Sequence, residues 1–168
     1  MVDFSQPNGL YSRPKLKRLQ AVQAEIFRQL QLLLPDQIAF HDHLVSNVAG
    51  SPPLLLEVIE RHKYTTFFRL TYRFNEKSKA RFSPNAHIRH YHDARLAEAT
   101  SFNPEQGCGR MAEPGIPTRP MMQIAWRRNR ALDRWLDYLI TQGHSLATMV
   151  PIEENEIQSF VAKPALTG

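Results

Sequence analysis

The spacing of apolar residues changes period along this chain, and each change marks a different element. From Lys15 onward the apolar positions are Leu16, Leu19, Val22, Ile26, Phe27, Leu30, Leu33 and Leu34. Steps of three and four gather these side chains on one face of an α-helix, leaving Lys15, Lys17, Arg18, Gln20, Gln23, Glu25 and Arg28 on the other. Ser12 is a suitable N-cap, and Pro14 fits a first turn whose N–H has no helical partner. Pro35 ends the helix by pushing Leu34 out of the helical region. Met1 to Pro14 reads as a flexible lead-in.

The period then falls to two. Ile38 to Val45 alternates, which places His41 and His43 on one face of a strand. After the turn Gly50-Ser51-Pro52-Pro53, Leu54 to Arg61 and Thr65 to Phe74 read as strands, and the short link His62-Lys63-Tyr64 makes them a hairpin. In the second of these, Phe68, Leu70, Tyr72 and Phe74 face one way while Phe67, Arg69, Thr71 and Arg73 face the other. Asn75 to Asn85 is charged and holds Pro84, which predicts an exposed loop. Ala86 to His92 and Arg95 to Phe102 predict a second hairpin, turning near Asp93-Ala94. Asn103 to Pro120, rich in Gly and Pro around Cys108, predicts a long surface loop.

A helical stripe returns between Met121 and Gln142, at Met122, Ala125, Leu132, Trp135, Leu136, Leu139 and Ile140, with Gly143 as its C′ stop. Arg127, Arg128, Arg130 and Arg134 crowd its outer side. Beyond Pro151 the chain turns acidic at Glu153, Glu154 and Glu156 and reads as a flexible tail. The predicted architecture is therefore two-layer α+β: an N-terminal helix, a four- to five-stranded, mostly antiparallel sheet of hairpins, and a C-terminal amphipathic helix. Residues 15–150 would form this single domain, with 1–14 and 151–168 outside it.

Composition narrows the class. A chain of 168 residues with 42% hydrophobic residues suits one globular core. The single cysteine excludes an intrachain disulfide and fits a reducing cytoplasm. No apolar run reaches the ~20 residues of a membrane span, and the first residues lack the basic-then-apolar order of a signal peptide. A net charge of +5 permits anionic partners without requiring them.

The densest group of chemically able side chains lies on the second predicted hairpin. Arg89, Tyr91 and Asp93 alternate onto one side of a strand, His92 sits at the turn and Glu98 on the returning strand. Such a row either binds a polar ligand through charge-assisted hydrogen bonds or locks two strands together. Two His-x-His pairs, His41/His43 and His90/His92 with Asp93 nearby, have metal-like spacing but no fixed third ligand, so no metal is expected. Cys108, beside Arg110 alone, reads as a plain surface thiol. Phosphate-loop, dinucleotide and paired-cysteine motifs are absent, and no cofactor is expected.

These observations favour a non-catalytic binding or accessory module that recognises a small polar ligand or a protein through Arg89, Tyr91, His92, Asp93 and Glu98. A nucleic-acid-associated protein using Arg127, Arg128 and Arg134 on the last helix is the alternative, although Asp133 and Asp137 interrupt that face. An enzyme using His92 with Asp93 or Glu98 is the third.

Along Arg89-His90-Tyr91-His92-Asp93-Ala94-Arg95-Leu96-Ala97-Glu98 the sequence resembles the YqiB-like family of small bacterial proteins of unknown function. Tyr64-Thr65-Thr66, and Asn129 with Leu132, Trp135-Leu136, Tyr138 and Gly143, are similar to the same family in the same order, so the resemblance runs from about Leu16 to Val150. It implies a soluble bacterial protein without an established activity, cofactor or site. It places emphasis on Arg89, Tyr91, His92, Asp93 and Glu98, and the Gly/Pro loop and both termini depart from it.

Overall fold

The first apolar stripe forms α1, Arg13–Leu33, in a computed structural model that describes residues 13–76, 79–103 and 119–157. The second forms α2, Arg119–Thr141. Between and after them lie β1 (His43–Ser46), β2 (Leu54–Arg61), β3 (Thr65–Glu76), β4 (Lys79–Tyr91), β5 (Leu96–Asn103) and β6 (Met149–Pro151). All pairings are antiparallel, and the order across the sheet is β5-β4-β3-β2-β1-β6. Strands β1 to β5 are each paired with the next in sequence, and β6 returns after α2 to add to β1.

Both helices cover one face of this sheet. That face carries Leu44, Leu54, Leu56, Val58, Phe68, Leu70, Tyr72, Ala86, Ile88, Ala97 and Ala99, all buried. Ile26, Leu30 and Leu33 of α1 and Leu132, Trp135, Leu136 and Leu139 of α2 complete the core. Each fully buried Leu or Phe contributes roughly 1.5–3 kcal/mol relative to exposure, and this layer is the main source of stability. The helices run in the same direction: Leu19 and Met122 line one cleft, and a helical stretch further on the Gln29 Nε2 donates to the Asp133 carbonyl at 3.2 Å. Gly143, at φ +104°, ends α2 as the periodicity predicts, with its N–H on the Ile140 carbonyl and that of His144 on Leu139.

The expected α+β layers form, with more strands than expected. Of Asn75 to Asn85, predicted as a loop, Asn75 and Glu76 instead end β3 and Lys79 to Asn85 begin β4. Pro84 is tolerated there because the register shifts between Thr71 and Arg73, so a residue that lacks a ladder donor sits at a bulge. Ile38 to Val45 is not one strand: Asp36–Ala39 forms a 3-10 turn and β1 begins only at His43. His41 therefore lies outside the strand and does not share a strand face with His43. Strand β6 is three residues long and carries no usable period.

A buried polar network ties the segment after α2 to the sheet. Ser46 Oγ lies 2.7 Å from His144 Nδ1 and 2.7 Å from Thr148 Oγ1, and His144 Nε2 lies 3.1 Å from the Tyr72 hydroxyl. Burial lowers the pKa of His144, while desolvation pushes Tyr72 up to about 12, so both stay neutral in the core. Each is paired, which avoids the cost of about 1–3 kcal/mol of an orphaned buried polar group.

Candidate functional site

The alternation that sends Phe68, Leu70 and Tyr72 into the core sends their neighbours to the opposite face of the sheet. Among the described residues no long helix covers this second face. Ile152, Glu154 and Ile157 meet it at one side, where a cleft of about 230 Å³ is also lined by His43, Glu57, Arg69 and Phe82.

A continuous row of polar and aromatic side chains crosses this face from β1 to β5. His43 Nε2 stands 3.9 Å from Glu57, whose other carboxylate oxygen is 3.5 Å from Arg69 Nη1. Arg69 Nε donates to Asn85 Oδ1 at 2.9 Å, and its guanidinium lies over the Phe82 ring at 5.3 Å. His87 Nδ1 is 2.8 Å from Ser101 Oγ, and its ring stacks on Phe67 at 6.0 Å. Arg89 lies over the same Phe67 ring at 5.9 Å, and its Nη1 is 3.8 Å from Glu98. The Tyr91 hydroxyl donates to Glu98 at 2.7 Å. Desolvation raises the Tyr91 pKa, reinforced by that bond to Glu98, so the phenol stays protonated. Burial, with Arg69 nearby, lowers the His87 pKa and keeps its imidazole neutral.

Of the five hairpin residues expected to share a site, the structure brings three together: Arg89, Tyr91 and Glu98. His92 turns to the helix side, where its Nε2 is 2.8 Å from Thr66 Oγ1 and its ring meets His90 edge-on at 4.8 Å. Asp93 is exposed in the His92–Arg95 turn, away from the row. His92 and Glu98 therefore stand on opposite faces. Among the described residues no three His, Cys, Asp or Glu side chains gather as metal ligands, and the two His-x-His pairs do not converge. Cys108 lies outside the described residues.

The arginines of α2 also divide. Arg127 and Arg134 are exposed, but Arg128 is half-buried and its Nη1 donates to the Thr100 carbonyl. The residue beside it, Asn129, accepts the Ala99 N–H at 2.9 Å and donates to the Ala125 carbonyl at 2.7 Å. Both bonds follow from a bulge. Thr100 is the extra residue where the β4–β5 register shifts, and β5 is an edge strand whose free backbone groups need partners. Arg128 is thus held by the sheet, a role that its place in an arginine run does not reveal.

A profile described as "Protein of unknown function (DUF1249)" matches residues 29–145, well over half of the chain. The chain belongs to the DUF1249 family. No curated protein and no solved structure matches it. The DUF1249 span begins inside α1 and ends just after α2, so it contains β1 to β5, the whole row from His43 to Ser101, and His144. It also contains open-face residues that the sequence pattern does not single out as a site, namely Glu57, Arg69, Asn85, His87 and Ser101. Arg69 was visible as an outward position of β3, but its partner Asn85 lies on a segment read as loop. Arg73, on the same face, is only 5% exposed, and its Nε and Nη2 have no partner among the described residues.

Proposed function

We propose that this DUF1249 protein is a non-catalytic binding module of the YqiB-like kind, bacterial and cytoplasmic, that holds a small polar ligand against the open face of its sheet. The observation that carries this reading is the unbroken row from Glu57 and Arg69 to Arg89, Tyr91 and Glu98. Its charged members keep between a quarter and a half of their side-chain surface in solvent, at 45% for Glu57, 26% for Arg69, 25% for Arg89 and 30% for Glu98. Ion pairs that served only to join strands would be expected to close to bidentate hydrogen bonds. Here Arg89 and Glu98 approach only to 3.8 Å and Arg69 and Glu57 to 3.5 Å, so each retains donors or acceptors for a third party. Both signs occur at each end of the row, which favours a ligand that itself carries an amine and a carboxylate, such as an amino acid or short peptide. No helix among the described residues is long and apolar enough to cross a membrane.

The test is a titration of 15N-labelled protein with a library of free amino acids and dipeptides at millimolar concentration. The expected result is a saturable shift of the Arg69, His87, Arg89 and Glu98 amides with at least one member, abolished in the Arg69→Ala, Arg89→Ala double variant. If no member moves these amides, or the double variant binds equally well, the reading fails.

A further inference from the structure

At the start of the helix pair, on the side of the molecule away from the polar row, an exposed tryptophan stands among cations. Trp126 borders two clefts. One of about 550 Å³ is lined by Lys15, Arg18, Leu19, Met122, Gln123 and Arg127, and one of about 250 Å³ by Arg127, Arg130, Ala131 and Arg134. The Arg130 guanidinium lies over the indole at 5.8 Å. Trp126 is 36% exposed, whereas Trp135, one helical face away, is buried in the core at 7%. Isolated apolar residues on a surface need no explanation, but an indole left 36% exposed between two clefts that five cations line is a specific arrangement.

The charge around it is one-sided. Among the described residues Lys15, Arg18, Arg127 and Arg134 form no ion pair, and the only carboxylate engaged with the group is Asp133, 3.0 Å from Arg130. Asp137 is exposed a turn beyond Asp133, and Glu25 of α1 is taken up by Arg28. Because α1 and α2 run in the same direction, the positive ends of both helix dipoles also lie at this end of the pair. From Gln123 to Arg134 the tract runs about 16 Å along α2, at about 1.5 Å per residue. That is longer than a single phosphate needs.

We infer that this cleft binds single-stranded nucleic acid, with a base on Trp126 and phosphates on Lys15, Arg18, Arg127 and Arg134. Aromatic platforms flanked by cations bind single strands without sequence preference, because every base has a face to stack. Arg128, committed to the Thr100 carbonyl, takes no part. This inference stands independently of the sheet-face reading.

The experiment is fluorescence anisotropy of labelled dT12 and rU12 with the full chain between 50 and 200 mM NaCl. Four phosphate contacts predict a slope of log K against log salt of about −3, at about −0.7 per phosphate on a single strand. Trp126→Ala should weaken binding by about tenfold to a hundredfold, Trp126→Phe should restore most of it, and Arg127→Gln with Arg134→Gln should flatten the slope by about 1.5. Lys63→Gln, an exposed cation elsewhere, should change affinity little. The inference is overturned by no binding of either strand at 50 mM NaCl, or by a Trp126→Ala protein that binds as tightly as the parent. Binding to phosphatidylserine vesicles without binding to dT12 or rU12 would overturn it in favour of a membrane surface.

Discussion

His90 shows how one side chain can be decided by what lies across from it. Its ring stacks on Phe27 at 4.8 Å and 7°, its Nε2 is buried without a partner among the described residues, and burial, aided by His92, pushes its pKa down to about 4. The unfolded chain, with an ordinary histidine pKa near 6.5, therefore binds a proton that the folded chain refuses between pH 6.5 and about 4. Stability that is fully present above pH 6.5 is lost as the pH falls through that window. The expected loss from His90 alone is up to about 3 kcal/mol at pH 4. His87 and His144, both lowered by burial, add to it in the same direction. A His90→Phe variant keeps the stack on Phe27 and removes the titration. Denaturant titrations at pH 7 and pH 4.5 should show a smaller loss for the variant, and equal losses would refute the assignment.

At the scale of the element, α2 does more than cover the core. Through Asn129 and Arg128 it closes the free edge of β5, the strand that would otherwise offer unpaired backbone groups to another chain. Asn129 is 1% exposed, so Asn129→Ala would leave the Ala99 N–H without a partner in a dry environment. The expected cost is about 1–3 kcal/mol, with faster exchange of the Ala99 amide than of its neighbours. Unchanged exchange at Ala99 would show that the bond to Asn129 contributes nothing. An arginine run on a helix reads from sequence as a solvated or phosphate-facing surface, yet one of these arginines is structural. Only the bulge at Thr100, set by the pairing of β4 with β5, separates Arg128 from Arg127 and Arg134.

Across the whole molecule, two parallel helices on one face leave the other face of the sheet to polar chemistry. The layer depends on side chains such as Leu30, fully buried between α1 and the sheet. Leu30→Ala should cost about 2–5 kcal/mol in a denaturant titration, and a change below about 0.5 kcal/mol would contradict the layered packing. The polar row and the Trp126 cleft lie on different layers, so variants in one should leave the other's binding unchanged.

The sequence alone determined the elements whose periodicity is long or clean. Seven apolar positions at helical spacing from Leu16 to Leu33 specify α1, and strict alternation over Phe67 to Phe74 specifies β3 and which of its residues face outward. The turn between Tyr91 and Leu96 was legible too, because polar residues interrupt two apolar runs there. Tertiary structure decided what no local pattern contains. Lys79 to Pro84 became strand because β3 extends far enough to pair with it, and β6 exists only because β1 offers an edge. It also split the hairpin cluster, since His92 follows the last residue of β4 and is free to turn toward Thr66 while Tyr91 stays on the open face. Register explains both outcomes. Which residues meet across strands depends on hydrogen bonds between segments 14 to 16 residues apart, as in His87 with Ser101 and Arg69 with Asn85, and one bulge changes every partner beyond it.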